Sequence, residues 1–414
     1  MFGYATLEIR MGKLHLLYLL DQFPVISQVF VLNEITGFID LGYNVHIISM
    51  NTPHEEKIHN TVKKYHLLNK TTYFPRIKIV EKGVTALLAN NTLTMKEKIQ
   101  LLNLCHDKYY IGKFAIKWFL SCLAIINIIS DKKIDHVHCH FAYENVKLAY
   151  IIHQVIKIPY TFTAHANDIF VDYPYKDITK WAEGAKKVIT ISEFNKNYMH
   201  NKFKIPLEKI EIIPCSKYFD TLAPVEDYTL SPLRIISVSR LVEKKGYPYL
   251  IKACKILKDR GIKFCCILHG EGDERQILEK LIKENGLEKE VTLGTALTHD
   301  EVIEFMKTGS VFVLPCIRAQ NNDMDGLPNV LLESMAMEIP TISTDITGIP
   351  ELIKDGENGI IVAQGDPAGL AEAIIKVKEN PHFADRIRKK GRERVLQEFD
   401  VHKNVRQLAE IFEQ

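Results

Sequence analysis

The stretch Asp325-Gly326-Leu327-Pro328-Asn329-Val330-Leu331-Leu332-Glu333 holds two acids around a helix start. Pro328 suits a first helical turn, and Gly326 permits tight backbone just before it. A helix opening near Asn329 would leave the N–H groups of Asn329, Val330 and Leu331 unpaired, a ready site for phosphates. Glu333, about one turn further in, can accept hydrogen bonds from a diol such as a ribose. Asp325 then lies beside whatever the phosphate carries. The plainer account is that both acids merely favour a helix N-terminus. A second element is Arg240 at the end of the apolar run 234–241, with Lys245 five residues later beside Gly246. Two cations at a strand's C-terminal edge suit a diphosphate; an ordinary basic loop is the alternative.

His165 and Asp168 follow the strand pattern 160–164, where site-facing groups cluster, Asp168 as a structural or acceptor-side group. His136, His138, Cys139 and His140 look like metal ligands. Strand alternation puts 136, 138 and 140 on one face, but no partner motif completes a site, so His138 or His140 is expected to line a cleft and no metal is expected. Ser192 and Glu193 stand at another strand end, where contact with a ligand and a helix cap are equal readings.

These residues need an alternating scaffold to hold them. Apolar strand patterns at 14–20, 44–50, 135–140, 160–164 and 187–192 alternate with helical stretches, one of them capped by Ser27 and running to about Leu41. A second series follows at 234–241, 264–268, 291–293, 311–315, 341–344 and 360–362, with helices at 247–260, 274–285, 300–308, 328–337 and 367–379. Two β-α-β series predict an α/β protein with two doubly wound, Rossmann-like parallel-sheet domains facing each other across a cleft. The first is expected over 1–218 and the second over 219–395, joined by a linker at 214–232, with a C-terminal helix at about 396–414 packing back on the first. Neither series carries G-x-G-x-x-G after its first strand, and His269-Gly270-Glu271-Gly272 has no phosphate-loop spacing.

The chain has 414 residues, 46% hydrophobic and 25% charged, with a net charge of +2. Such a balance excludes nucleic-acid binding by bulk charge. It conceals an asymmetry: residues 1–216 carry 26 basic and 19 acidic side chains, the remainder 27 and 32. The basic half is therefore the one to meet an anionic surface, with Lys63, Lys64, Lys70, Arg76, Lys78, Tyr73 and Phe74 as the candidate patch. The first dozen residues lack the apolar core of a signal peptide, so a cytoplasmic protein is expected. The longest apolar run, 119–129, is broken by Ser121 and Asn127 and falls short of about 20 residues, so no membrane span is expected. Eight scattered cysteines without C-x-x-C read as reduced thiols.

Arg240-x4-Lys245-Gly246, His269-Gly270-Glu271-Gly272, Asp325-Gly-x-Pro-Asn with Glu333, Pro340, and Gly348-x-Pro350-Glu351 occur in an order that resembles the retaining GT-B glycosyltransferases of glycosyltransferase family 4. The family's two acids, separated by seven residues, are Asp325 and Glu333 here, with Asp in place of the usual Glu. Phe23-Pro24, Ser27-Gln28, Phe30 and Asn33-Glu34 look like the branch that builds bacterial exopolysaccharides such as colanic acid and amylovoran. The resemblance implies that Arg240 and Lys245 hold the donor diphosphate, so no metal or other cofactor is required. It implies that Glu333 binds the ribose, that Asp325 and His165 lie against the transferred sugar, and that backbone at Gly294–Leu297 receives the base. Gly326, Leu327, Pro328, Asn329 and Val330 complete the donor side; Ser27, Gln28, Asn33, His140 and Asp168 are candidates for the acceptor side. The implied partners are a nucleotide-sugar donor, a UDP-sugar with a GDP-sugar as the alternative because users of both share the motifs, a lipid-linked glycan acceptor and an anionic inner-membrane surface. Rival readings are a nucleotide-sugar 2-epimerase on the same fold, a glycan phosphorylase, a two-lobed periplasmic-type binding protein, or an inactive glycan-binding protein.

Overall fold

The computed structural model describes residues 12–53, 58–74, 92–106, 111–173 and 177–414. The chain forms two compact units, one from Met1–Phe162, Lys180–Lys187 and Leu408–Gln414, the other from Thr163–Thr179 and Val188–Gln407. Thirteen described strands form two parallel sheets. The first has the order β3-β2-β1-β4-β5-β6-β7, from Thr71–Tyr73, Asn44–Asn51, His15–Gln22, His136–His140, Tyr160–Ala164, Val188–Thr190 and Ile210–Ile212. The second has the order β10-β9-β8-β11-β12-β13, from Val291–Gly294, Phe264–His269, Leu233–Val238, Val311–Leu314, Thr341–Thr344 and Ile360–Val362.

Strand order reverses beside β1 and β4 in one sheet and beside β8 and β11 in the other. In open α/β sheets, ligands bind outside the carboxyl ends of the strands at such a reversal. The centre of β1 and the whole of β11 are apolar because helices cover both sheet faces: Leu16, Leu17, Tyr18 and Leu19 of β1 and all four residues of β11 are fully buried. The two strands absent from the sequence reading, β3 and β7, are three residues each and too short to show a period.

Two expectations about helices are corrected. Ser27 does not cap the first helix: a 3-10 turn, Ile26–Gln28, precedes the helix Val29–Asp40, and the capping position falls on Gln28 with no side-chain bond. The helix Lys113–Lys132 does contain a segment, Phe114–Lys132, long and apolar enough to cross a membrane, although most of it is buried within the protein. Ser121, which seemed to interrupt it, donates its hydroxyl to the carbonyl of Lys117 at 2.8 Å, so it costs the helix little. The last helix, Val401–Glu413, brings Phe412 into the first unit, where its ring stacks on Phe38 with centroids 5.3 Å apart. None of the eight cysteines is in a disulfide.

Candidate active site

At the β8/β11 reversal the chain builds a dense ionic cluster. Beyond β8, Arg240 is exposed, and Glu243–Lys245 forms a 3-10 turn that ends in Gly246. Gly246 has φ +68°, and a Cβ there would lie 1.9 Å from the carbonyl oxygen of Pro315. Glycine is thus what lets the lysine turn press onto the loop leaving β11. Ile317 N–H donates to Lys244 O at 2.9 Å, pinning the same two loops. From this turn Lys245 reaches Asp325 at 2.5 Å, while Lys244 reaches Asp323 at 3.0 Å and Asp325 at 3.3 Å. Burial would raise the Asp325 carboxyl, but Lys245 and then Lys244 hold it well below the ordinary carboxylate range. The same burial would lower the Lys245 ammonium, and Asp325 more than offsets it. Both groups therefore stay charged, and burial keeps their field unscreened.

The helix that follows, Asn329–Ala336, starts at Asn329 as expected, but Pro328 is the extended capping residue ahead of it and not part of its first turn. One of its three expected free donors is already used, since Leu331 N–H bonds Pro328 O at 3.0 Å in the first turn. Asn329 Oδ1 is buried and has no hydrogen-bond partner. Leu327 and Pro328 are buried, and Val330 is half-buried. Glu333 is buried and ion-paired with Lys217, itself buried. At the far side of the sheet, Gly294 ends β10 against the His269 ring, whose Nδ1 bonds Thr295 O at 2.9 Å; Leu297 is half-buried beyond it. Gly270 and Gly272 are glycines because a Cβ would meet Ser239 O at 1.8 Å and Leu241 O at 2.2 Å.

His165 is buried in the same unit. Asp168 is fully buried and accepts from the N–H groups of His165 (3.1 Å) and Ala166 (2.8 Å), and Asn195 Nδ2 donates to His165 O at 2.7 Å. Asp168 therefore shapes the histidine loop. That loop meets the Asp325 loop directly: a Cβ on Gly326 would stand 2.6 Å from His165 O. Ser192 caps the helix Glu193–Phe203 through Asn195 N–H at 3.1 Å. Glu351 accepts from Glu193 N–H and Phe194 N–H, both at 2.8 Å, so this acid serves as a second cap.

At the β1/β4 reversal, Ser27 is exposed, Gln28 half-buried and Asn33 buried. His140 bonds Glu34 Oε1 at 3.1 Å, His138 Nε2 lies 3.4 Å from the same oxygen, and Tyr18 donates its hydroxyl to it at 2.8 Å. The three ligand-type atoms of Glu34, His138 and His140 lie within 4.8 Å of one another, a set that could hold a metal ion. Burial lowers His138 to about 3, so its ring is neutral. Burial would raise Glu34, but His140 and His138 hold it below the usual value. His136 turns instead to Thr161 Oγ1 at 2.9 Å. Alternation had placed the three histidines on one face; Glu34, the partner of His138 and His140, is a helix residue 106 positions from His140, and the Asn33-Glu34 motif marks it without tying it to the histidines. Lys244, Asp323 and Lys217 were missed likewise. Lys244 had only its neighbour Lys245 to recommend it, and Lys217 lies 116 residues from Glu333.

Two parallel-sheet units with cations gathered at the second reversal define a GT-B glycosyltransferase, and the chain belongs to that class: residues 226–394 match the model of glycosyl transferases group 1, and residues 27–216 that of glycosyltransferase family 4. Over 408 residues it is 31% identical to the amylovoran biosynthesis glycosyltransferase AmsK of Erwinia amylovora, covering 95% of this chain and 97% of that one. Over 410 residues it is 28% identical to the putative colanic acid biosynthesis glycosyltransferase WcaL of Escherichia coli K12, covering 96% and 98%. The fold is shared with Anabaena Alr3699/HepE, solved with UDP and glucose, at a TM-score of 0.71 and 16% identity over 97% of this chain and 99% of that one.

Proposed function

We propose that this glycosyltransferase moves a sugar, with retention of anomeric configuration, from a UDP-sugar onto a lipid-linked oligosaccharide in the synthesis of a bacterial surface polysaccharide. The reading rests on one observation above all: two buried lysines and a helix N-terminus converge at the β8/β11 reversal, where a donor diphosphate would sit. Arg240 and Lys245 bind the diphosphate and take up charge as the glycosidic bond breaks, which makes a metal dispensable. Asn329 and Val330 N–H groups face the same phosphates. Glu333 accepts from the ribose hydroxyls, and backbone at Gly294–Leu297 takes the base. Asp325 and His165, on abutting loops, hold the transferred sugar; Asp325 also keeps Lys245 oriented before the donor arrives. AmsK and WcaL, by their names, serve amylovoran and colanic acid synthesis, which supports the substrate class.

The acceptor and the cytoplasmic membrane face belong to the same proposal. Among the described residues, six of the eleven exposed large apolar side chains are Met95, Ile99, Leu102, Ile111, Phe114 and Ile116. Met95, Ile99 and Leu102 recur at helical spacing along Met95–Cys105, beside the exposed Lys96. An apolar stripe edged by lysine suits an anionic bilayer surface. This shifts the contact away from the patch expected at 57–82, where Phe74 is buried and Arg76 and Lys78 lie outside the described residues. Incubating the enzyme with UDP-sugars, with and without a polyprenyl-diphosphate oligosaccharide, tests the reading. Acceptor-dependent UDP release supports it, and conversion of the donor alone to an epimer overturns it.

A further inference from the structure

Lys217 belongs to no motif and lies outside the ionic cluster of Lys244 and Lys245. Its side chain is nevertheless buried and reaches the Glu333 carboxylate, also buried. The backbone of Lys217 is fixed on both sides. Its N–H donates to Phe399 O at 3.0 Å, and its carbonyl accepts from Val401 N–H at 3.2 Å, where the chain crosses toward its last helix. Asn404 Nδ2 holds the carbonyl of Pro214, three residues earlier, at 3.0 Å. A long, flexible side chain is thus anchored at its root and tied at its tip, and its aim is set by parts of the fold remote from Glu333 in sequence. An ion pair removed from water contributes little net stability, yet losing one partner leaves an uncompensated buried charge. Here the partner left behind would be the acid that receives the ribose.

We infer that Lys217 is a positioning residue for donor binding: its ammonium holds the Glu333 carboxylate oriented for the ribose hydroxyls. The inference rests on the ribose role proposed for Glu333. Without the ammonium, the buried carboxylate loses the partner that fixes its direction and can no longer hold both ribose hydroxyls in place.

The test is calorimetric titration with UDP, alongside steady-state kinetics, on wild type, Lys217→Met, Lys217→Arg, Glu333→Gln and the double variant Lys217→Met/Glu333→Gln. Lys217→Met should weaken UDP binding about tenfold or more, raising donor KM while kcat at saturating donor stays within about twofold. Lys217→Arg should restore wild-type affinity, and the double variant should bind little worse than Glu333→Gln alone. Lys217→Gln, which keeps an N–H donor but no charge, replaces Lys217→Met should the latter fail to fold and is expected to show the same loss. Wild-type UDP affinity in the uncharged variant, with Glu333→Gln impaired, overturns the role of Lys217 and leaves the ribose reading standing. An affinity loss that arginine does not rescue, or that adds in full to that of Glu333→Gln, marks a merely structural lysine and also overturns it. Unchanged affinity in Glu333→Gln removes the ribose reading itself.

Discussion

Glu333 and Asp325 carry different burdens although both are buried acids of one loop and helix. In the proposed reading Glu333 meets a part of the donor that does not change during transfer, so Glu333→Ala should weaken donor binding by about 1–3 kcal/mol and alter kcat far less. Calorimetry with UDP reads this directly. Lys245→Ala should instead cut kcat by about 100-fold or more, because the charge it meets grows as the bond breaks. It also strands Asp325, so the melting temperature of the variant must accompany its kinetics. His138 gives a prediction about pH. Its folded value is about 3 against an ordinary value of 6.5, so between these the unfolded chain binds a proton that the folded chain does not. The stability it lends is complete above pH 6.5 and falls as pH is lowered, by about 2 kcal/mol between pH 7 and pH 5. His138→Gln should be less stable at pH 7 and lose correspondingly less on acidification, as urea unfolding at the two pH values would show. At this scale the sequence disclosed the groups whose chemistry is local, such as Pro328 before its helix and Lys245 beside Gly246. It concealed Lys217 and the pairing of Glu34 with His138 and His140, because nothing along the chain marks a contact made across more than a hundred residues.

Elements were the most legible level. In the second sheet, β11 follows from a short, fully apolar run, since burial on both faces removes any polar alternation, whereas β12 is a buried Thr-Ile-Ser-Thr. Strand order was not written in those runs. Yet it is the order that places the ends of β8 and β11 side by side and so turns two separate basic and acidic segments into one site. Gly246 is the joint of that arrangement. Gly246→Ala meets both a positive φ and a backbone oxygen at 1.9 Å, and should cost about 2–4 kcal/mol and displace Lys244 and Lys245. Lower stability with normal UDP affinity would show that the lysine turn does not depend on this approach.

At the scale of the molecule, charge and exposed apolar surface point the same way. Residues 1–216 hold the basic excess and also the apolar cluster between Met95 and Ile116. Flotation with vesicles containing anionic lipid should carry the wild type upward and leave Met95→Ser/Ile99→Ser/Phe114→Ser in the lower fraction, with the remaining attraction lost in high salt. Equal flotation of both proteins would remove this face from the membrane contact. The central claim, however, concerns the reaction: a retaining, metal-free transfer driven by cations on a nucleotide diphosphate. One assay addresses it most directly, the turnover of an α-linked UDP-sugar with a lipid-linked acceptor in excess EDTA, followed by NMR of the new glycosidic bond. The account predicts undiminished turnover and an α-linkage in the product. A β-linkage, or activity that returns only when Mg²⁺ or Mn²⁺ is added, would contradict it.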